Sequence, residues 1–131
     1  MISRHSYDAT YQPSFPALAI TVTEPFSART IGPFQALLDT GSDITVVPAR
    51  LLSDFFLQEF RLAIIQGYGA ESARVPTYLL DVNINGHTVE FVEVIRDHSD
   101  GAELLLGRNV LNELILMLDG PASQVEVREC S

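Results

Sequence analysis

Asp39, Thr40, Gly41, Ser42 and Asp43 break an apolar stretch, with Ala36-Leu37-Leu38 before them and Ile44-Thr45-Val46-Val47-Pro48 after. Carboxylates and hydroxyls are thereby set against a core. The apolar run reads as a buried strand, and Thr40-Gly41 as a tight turn that lifts the Asp39 carboxylate off the strand end. Gly41 gives the backbone torsions closed to other residues and brings peptide N–H groups near that carboxylate. Those donors and the Ser42 hydroxyl satisfy an anion that burial would otherwise penalise. Such a carboxylate is a candidate for acid–base chemistry, the plain alternative being a turn between two strands.

A second run, Leu104-Leu105-Leu106-Gly107-Arg108-Asn109-Val110-Leu111-Asn112, follows later in the chain. The run 38–43 resembles the active-site loop of the retropepsin-like aspartic proteases, and 104–112 resembles the strand, glycine and short helix that close their fold. Between them lies a glycine hairpin where that family carries its flap. The resemblance implies a mainly β protein: a closed retropepsin-like β-barrel with one short C-terminal helix, acting as a symmetric homodimer. The implied activity is that of an aspartic endopeptidase. Only one Asp-Thr-Gly is present, and 131 residues can bury one core but not two lobes. The second carboxylate must come from another copy, and a twofold axis beside Asp39 supplies it most simply.

The resemblance also implies roles for single residues. Asp39 of each copy forms the catalytic pair around one water, sharing a proton because two adjacent carboxylates do not both ionise cheaply. Thr40 bonds across to the opposite loop, Gly41 supports the turn, and Ser42 donates to the outer oxygen of Asp39. On that basis Ser42→Ala should raise the pH optimum. Asp43 binds substrate backbone and pairs with Arg108, whose planar fork suits a carboxylate. Gly67, Tyr68 and Gly69 form the flap tip over the substrate. Subsites are expected from Val46, Val47, Leu104 and Leu106, favouring extended peptides with apolar residues around the cut. The chemistry needs no cofactor and no metal.

The net charge of −9, with eight basic residues scattered along the chain, argues against nucleic acid as a partner, since phosphate binding needs a concentrated basic patch. Two copies double that charge, so acid and salt should favour association. The partners expected are a second copy and a polypeptide substrate. Cys130 is the sole cysteine, which excludes an intrachain disulfide. No run reaches the roughly 18 to 20 apolar residues of a spanning helix, so no membrane segment is expected. The first residues lack an apolar signal core, and a cytoplasmic location is expected.

These residues need elements to hold them. Residues 1–13 are polar without a sustained period and read as a loose arm, and 14–129 as a single domain. Strands are expected over 15–24, 34–38 and 44–47, then a helix over 49–56 opened by Pro48. The flap is expected over about 64–78. Asn85-Gly86 is a strong hairpin signal between two strands. Residues 96–102 read as a charged loop, with Asp97, His98, Asp100 and Glu103 in no recognised metal spacing. A helix is expected over 109–114, followed by a hairpin over about 115–129. That hairpin carries Val125 and Val127 on one face and is expected to pair with its twin in a four-stranded sheet at the dimer interface, or to interleave with both termini. Two rival readings remain: a catalytically silent dimerisation or peptide-binding module, and an acidic metal-binding β protein.

Overall fold

The computed structural model describes residues 2–66 and 72–128. The larger sheet has seven strands: β2 (Ala17–Thr23), β3 (Thr30–Leu38), β4 (Thr45–Pro48), β5 (Arg61–Gln66), β6 (Ser72–Ile84), β7 (His87–Asp97) and β8 (Leu105–Leu106). They lie in the order β2-β3-β8-β4-β7-β6-β5. Alternation decides which side is inward: in β2, Leu18, Ile20 and Val22 are buried, while Ala19 is exposed and Thr21 half-buried. β6 does the same with Tyr78, Leu80, Val82 and Ile84. The Asn85-Gly86 turn has φ of 47° and 85°, the left-handed pair that a two-residue hairpin needs, and it joins β6 to β7 as the sequence indicates.

The sheet curls until β2 also meets β6 through Thr21↔Asn83, Val22↔Val82 and Thr23↔Asp81. The closed barrel expected from the resemblance is not reached. β8 joins β3 through two residues and β4 through one, too few for a continuous ladder, and β5 stays beyond the β2–β6 seam as a free edge among the described residues. Helix is also scarcer than expected. Residues 49–56 give only a 3-10 turn over Ala49–Leu52, and the later helix, α1, is a single turn over Arg108–Leu111. Its continuation tightens into turns, with Glu113 N–H donating to Val110 and Leu114 N–H to Leu111. Among the described residues no helix is long and apolar enough to cross a membrane.

The expected loose arm is instead partly ordered as β1 (Ile2–Ser6), paired with β10 (Gln124–Arg128), which pairs in turn with β9 (Ile115–Asp119). β1 carries no apolar period because its partner supplies the core face: Val125 and Val127 are buried opposite His5 and Ser3. The His5 Nδ1 accepts the Ala19 N–H at 3.0 Å, tying this small sheet to β2. Burial lowers the His5 pKa, in keeping with a neutral ring whose Nδ1 is free to accept. On the other face Arg4 and Arg128 cover the buried carboxylate of Glu126. Within one chain β1 takes the outer edge of β10, so among the described residues the hairpin's free edge is β9, where Ile115, Met117 and Leu118 are exposed.

Candidate active site

β3 delivers Asp39 to the site, and its last residues are fixed from both sides. Leu37 N–H donates to Leu104, Leu38 N–H to Pro16 and Asp39 N–H to Leu106, each through the carbonyl oxygen. The chain then turns: Ser42 N–H donates to the Asp39 carbonyl at 3.2 Å, and Gly41 N–H to the Asp39 Oδ1 at 3.1 Å. Gly41 contributes room rather than torsion. It is not among the residues with positive φ, but a Cβ there would lie 3.3 Å from Asp39 Oδ1.

α1 braces the loop from behind. Arg108 donates its backbone N–H to the Ser42 carbonyl at 2.8 Å and its Nη1 to the Thr40 carbonyl at 2.8 Å. Gly107 allows the approach: a Cβ on it would stand 2.4 Å from the Ile44 carbonyl oxygen. Its N–H donates to the buried Thr45 Oγ1, which donates to Asn109 Oδ1 at 2.8 Å; Asn109 Nδ2 then donates to the Glu93 carbonyl at 2.8 Å. Thr45 and Asn109 were missed as site residues by sequence reasoning. The available signal was a hydroxyl inside the β-branched run 44–47, at an inward-facing position.

Residues 41–44, in the loop that follows Asp39, form the floor of a cleft of about 1120 Å³. β5 forms its wall, and Val75, Glu93, Ile95 and Arg96 complete the lining. Arg61 on β5 grips Glu93 on β7 with two bonds, Nε to Oε2 at 2.5 Å and Nη2 to Oε1 at 2.9 Å, and the Thr77 hydroxyl donates to Oε2 at 2.7 Å. The Arg61 hydrogen bond holds the Glu93 carboxyl below the usual glutamate range; burial opposes the shift, and Thr77 reinforces it. Arg61 is raised in turn, chiefly by Glu93 and to a smaller extent by the charge of Asp43. Arg96 lies with its guanidinium 4.0 Å from the Tyr78 ring centre and donates to the Tyr78 hydroxyl, its buried Nε unpartnered among the described residues. These cleft partners gave no motif in the sequence, because Arg61, Thr77 and Glu93 come from three different strands.

Several expected contacts differ. The Ser42 hydroxyl donates to the Ile44 carbonyl at 2.6 Å, and since it has one proton it cannot also donate to Asp39. The pH shift expected for Ser42→Ala therefore loses its basis. Asp43 is exposed on the cleft floor and makes no ion pair with Arg108, whose guanidinium is turned to the Thr40 carbonyl. Thr40 is exposed in the single chain. Of the four expected subsite residues only Val46 lines the cleft; Val47, Leu104 and Leu106 are core. Gly67, Tyr68 and Gly69, like Cys130, lie outside the described residues. In the charged loop, Asp97 accepts from the Ser99 N–H and hydroxyl, which lower its pKa. Among the described residues no three His, Cys, Asp or Glu side chains are grouped to hold a metal ion.

The family model described as retroviral aspartyl protease matches residues 12–119. Among solved structures, a retropepsin-like aspartic protease from Rickettsia conorii superposes with a TM-score of 0.61 at 14% identity, over 98% of this chain and 92% of that one, which shows a shared fold. The EIAV protease, solved with the inhibitor HBY-793, gives a TM-score of 0.45 at 21% identity over 75% of this chain and 86% of that one. No curated protein matches by sequence.

Proposed function

The chain belongs to the retroviral aspartyl protease family, and from that premise we propose that it is an aspartic endopeptidase working as a homodimer. Asp39 occurs in a single Asp-Thr-Gly and stands at the end of a clamped strand, beside a cleft large enough for an extended peptide. That placement is the observation that carries the reading. A twofold axis beside the loop brings two Asp39 carboxylates to one water, and one proton shared between them lets both stay close. The ionised carboxylate takes a proton from the water as its oxygen attacks the scissile carbonyl carbon. The protonated partner donates to the carbonyl oxygen, so charge does not build up there.

The bracing described above keeps this geometry without spending the carboxylate. Arg108 holds the loop through main-chain carbonyls, and Gly41 N–H occupies one lone pair of Oδ1, leaving the rest of the carboxylate for the water. Thr40 is exposed in the single chain, where its hydroxyl would bond across the axis. Asp43, unpaired with Arg108 and facing the cleft, is placed to accept a substrate N–H, and Ile44 and Val46 to pack against apolar side chains. If the terminal hairpins pair across the axis they do so through β9, joining two three-stranded sheets into six strands rather than the expected four.

A denatured-protein or peptide library digested between pH 3 and 8 tests the reading. The wild type should cut, with inhibition by pepstatin, and Asp39→Asn should lose at least about a thousandfold in rate. Sedimentation should find the cutting species to be a dimer. Equal cutting by Asp39→Asn, or full activity from a monomer, would overturn the proposal.

A further inference from the structure

β5 and the first residues of β6 leave the body of the sheet as a two-stranded ribbon. β6 pairs with β7 only from Thr77 onward, so among the described residues Ser72 to Pro76 have β5 as their sole ladder partner. Such a ribbon is marginal by itself, and its own ladder fixes register without fixing the angle at which it leaves the sheet. One cluster stands at the point of departure. Arg61 is the register partner of Thr77, Phe60 N–H donates to the Thr77 carbonyl, and both Arg61 and the Thr77 hydroxyl converge on the Glu93 carboxylate. Thr77 is fully buried, so its hydroxyl has a fixed aim; Arg61 is half-exposed and reaches Glu93 along the cleft wall.

Glu93 faces two ways. Its carbonyl receives Asn109, whose other amide atom receives Thr45, and these hold α1 against the Asp39 loop. Its carboxylate receives the ribbon. One residue therefore refers the wall of the cleft to the same framework as its floor.

We propose that Glu93 and Arg61 are a positioning pair that sets the angle of the β5–β6 ribbon over the cleft, and with it the affinity for an extended peptide. This rests on the reading of the cleft as a peptide site. The pair touches neither the water nor the Asp39 carboxylates, so it acts on binding and leaves the bond-breaking step unchanged. Because it is partly exposed it adds little to global stability. A purely structural ion pair would show the reverse: some loss of stability and no change in substrate affinity.

The test compares wild type, Arg61→Met, Glu93→Gln and the exchanged double variant Arg61→Glu/Glu93→Arg. It uses a peptide from the library that the wild type cuts, with pepstatin binding as a readout that needs no turnover. Arg61→Met and Glu93→Gln should raise KM and the pepstatin Kd about three- to tenfold, with kcat within about twofold of wild type. The exchanged pair should restore both to within about twofold, because Thr77 can accept from an arginine as well as donate to a glutamate. Unchanged KM and Kd in the single variants would overturn this proposal alone, as would a fall in kcat and Tm together that the exchange does not repair. A wild-type dimer that neither cuts nor binds pepstatin would overturn the peptidase reading, and this one with it.

Discussion

The Asp39 loop on the floor of the cleft and the β5–β6 ribbon beside it are both anchored to Glu93, but to opposite ends of that residue. The floor is held through the Glu93 carbonyl by way of Asn109, Thr45 and Gly107, all groups that stay neutral, and through the main-chain and guanidinium donors of Arg108. The ribbon root is held through the carboxylate, by one charged arginine and one hydroxyl. Neutral bonds centred on a buried group such as Thr45 cost much to break because the orphaned partners have little water to turn to. A half-exposed charged pair is cheaper to break and responds to pH and salt. Asp39, proposed as the catalytic residue, thus sits on the more rigid side, and the ribbon proposed to meet the substrate has the adjustable anchor.

The contrast is broken most completely at Gly107. Its backbone is extended, so alanine would meet no torsional obstacle, but the new methyl would stand 2.4 Å from the Ile44 oxygen and 2.6 Å from its carbon, both main chain. Neither can rotate away. Gly107→Ala is expected to cost about 3 kcal/mol, at the upper end for an overpacked site, and to abolish cleavage. Urea denaturation and the peptide assay measure the two effects. A variant of wild-type stability would mean that the floor is looser than its bonding suggests.

The same two sides differ in how far they could be read from sequence. The floor was largely legible because most of its parts are local or motif-like: the apolar run up to Leu38, the Asp-Thr-Gly turn and the Gly-Arg at 107–108 can each be recognised in a few residues. What was misjudged there were side-chain directions. Ser42 and Arg108 both bond to main-chain carbonyls, of Ile44 and Thr40, where carboxylates were expected, because a tight loop leaves its own carbonyls nearest to hand. The ribbon root was not legible, since Arg61, Thr77 and Glu93 each read as an ordinary strand residue and meet only through the β5-β6-β7 register. β1 was misread for a related reason: Ser3 and His5 show no apolar period because Val125 and Val127, more than a hundred residues away in the chain, bring the apolar half of the contact.

A smaller effect is expected at Thr45, where the floor can be weakened without changing shape. Valine keeps the volume and removes the hydroxyl, leaving the Gly107 N–H and the Asn109 Oδ1 without their partner in a site where Thr45 itself is 1% exposed. Thr45→Val should cost about 1 to 3 kcal/mol, the price of unsatisfied buried groups. Because the bracing of Asp39 loosens, kcat should fall more than KM rises, the opposite of the split expected for Arg61→Met. If both variants changed KM alone, floor and ribbon would not be separately anchored.

The smallest effect is obtained with no mutation. The Glu93 carboxyl is held below its ordinary value by Arg61, so the stability it contributes is present above the usual glutamate range and is lost as the pH falls through its lowered value in the folded chain. Protonation removes the charge that Arg61 grips, whereas the Gly107, Thr45 and Asn109 bonds contain nothing that titrates in this range. Acid should therefore loosen the ribbon before the floor. Amide hydrogen exchange followed from pH 7 to pH 3, corrected for intrinsic rates, should show protection falling first in β5, at residues 62–66, while the amides of Leu106, Gly107 and Arg108 keep theirs. Glu93→Gln should show the loosened ribbon at pH 7 and little further change in acid. Salt should act in the same direction on the wild type and hardly at all on the variant, because only a charged anchor can be screened.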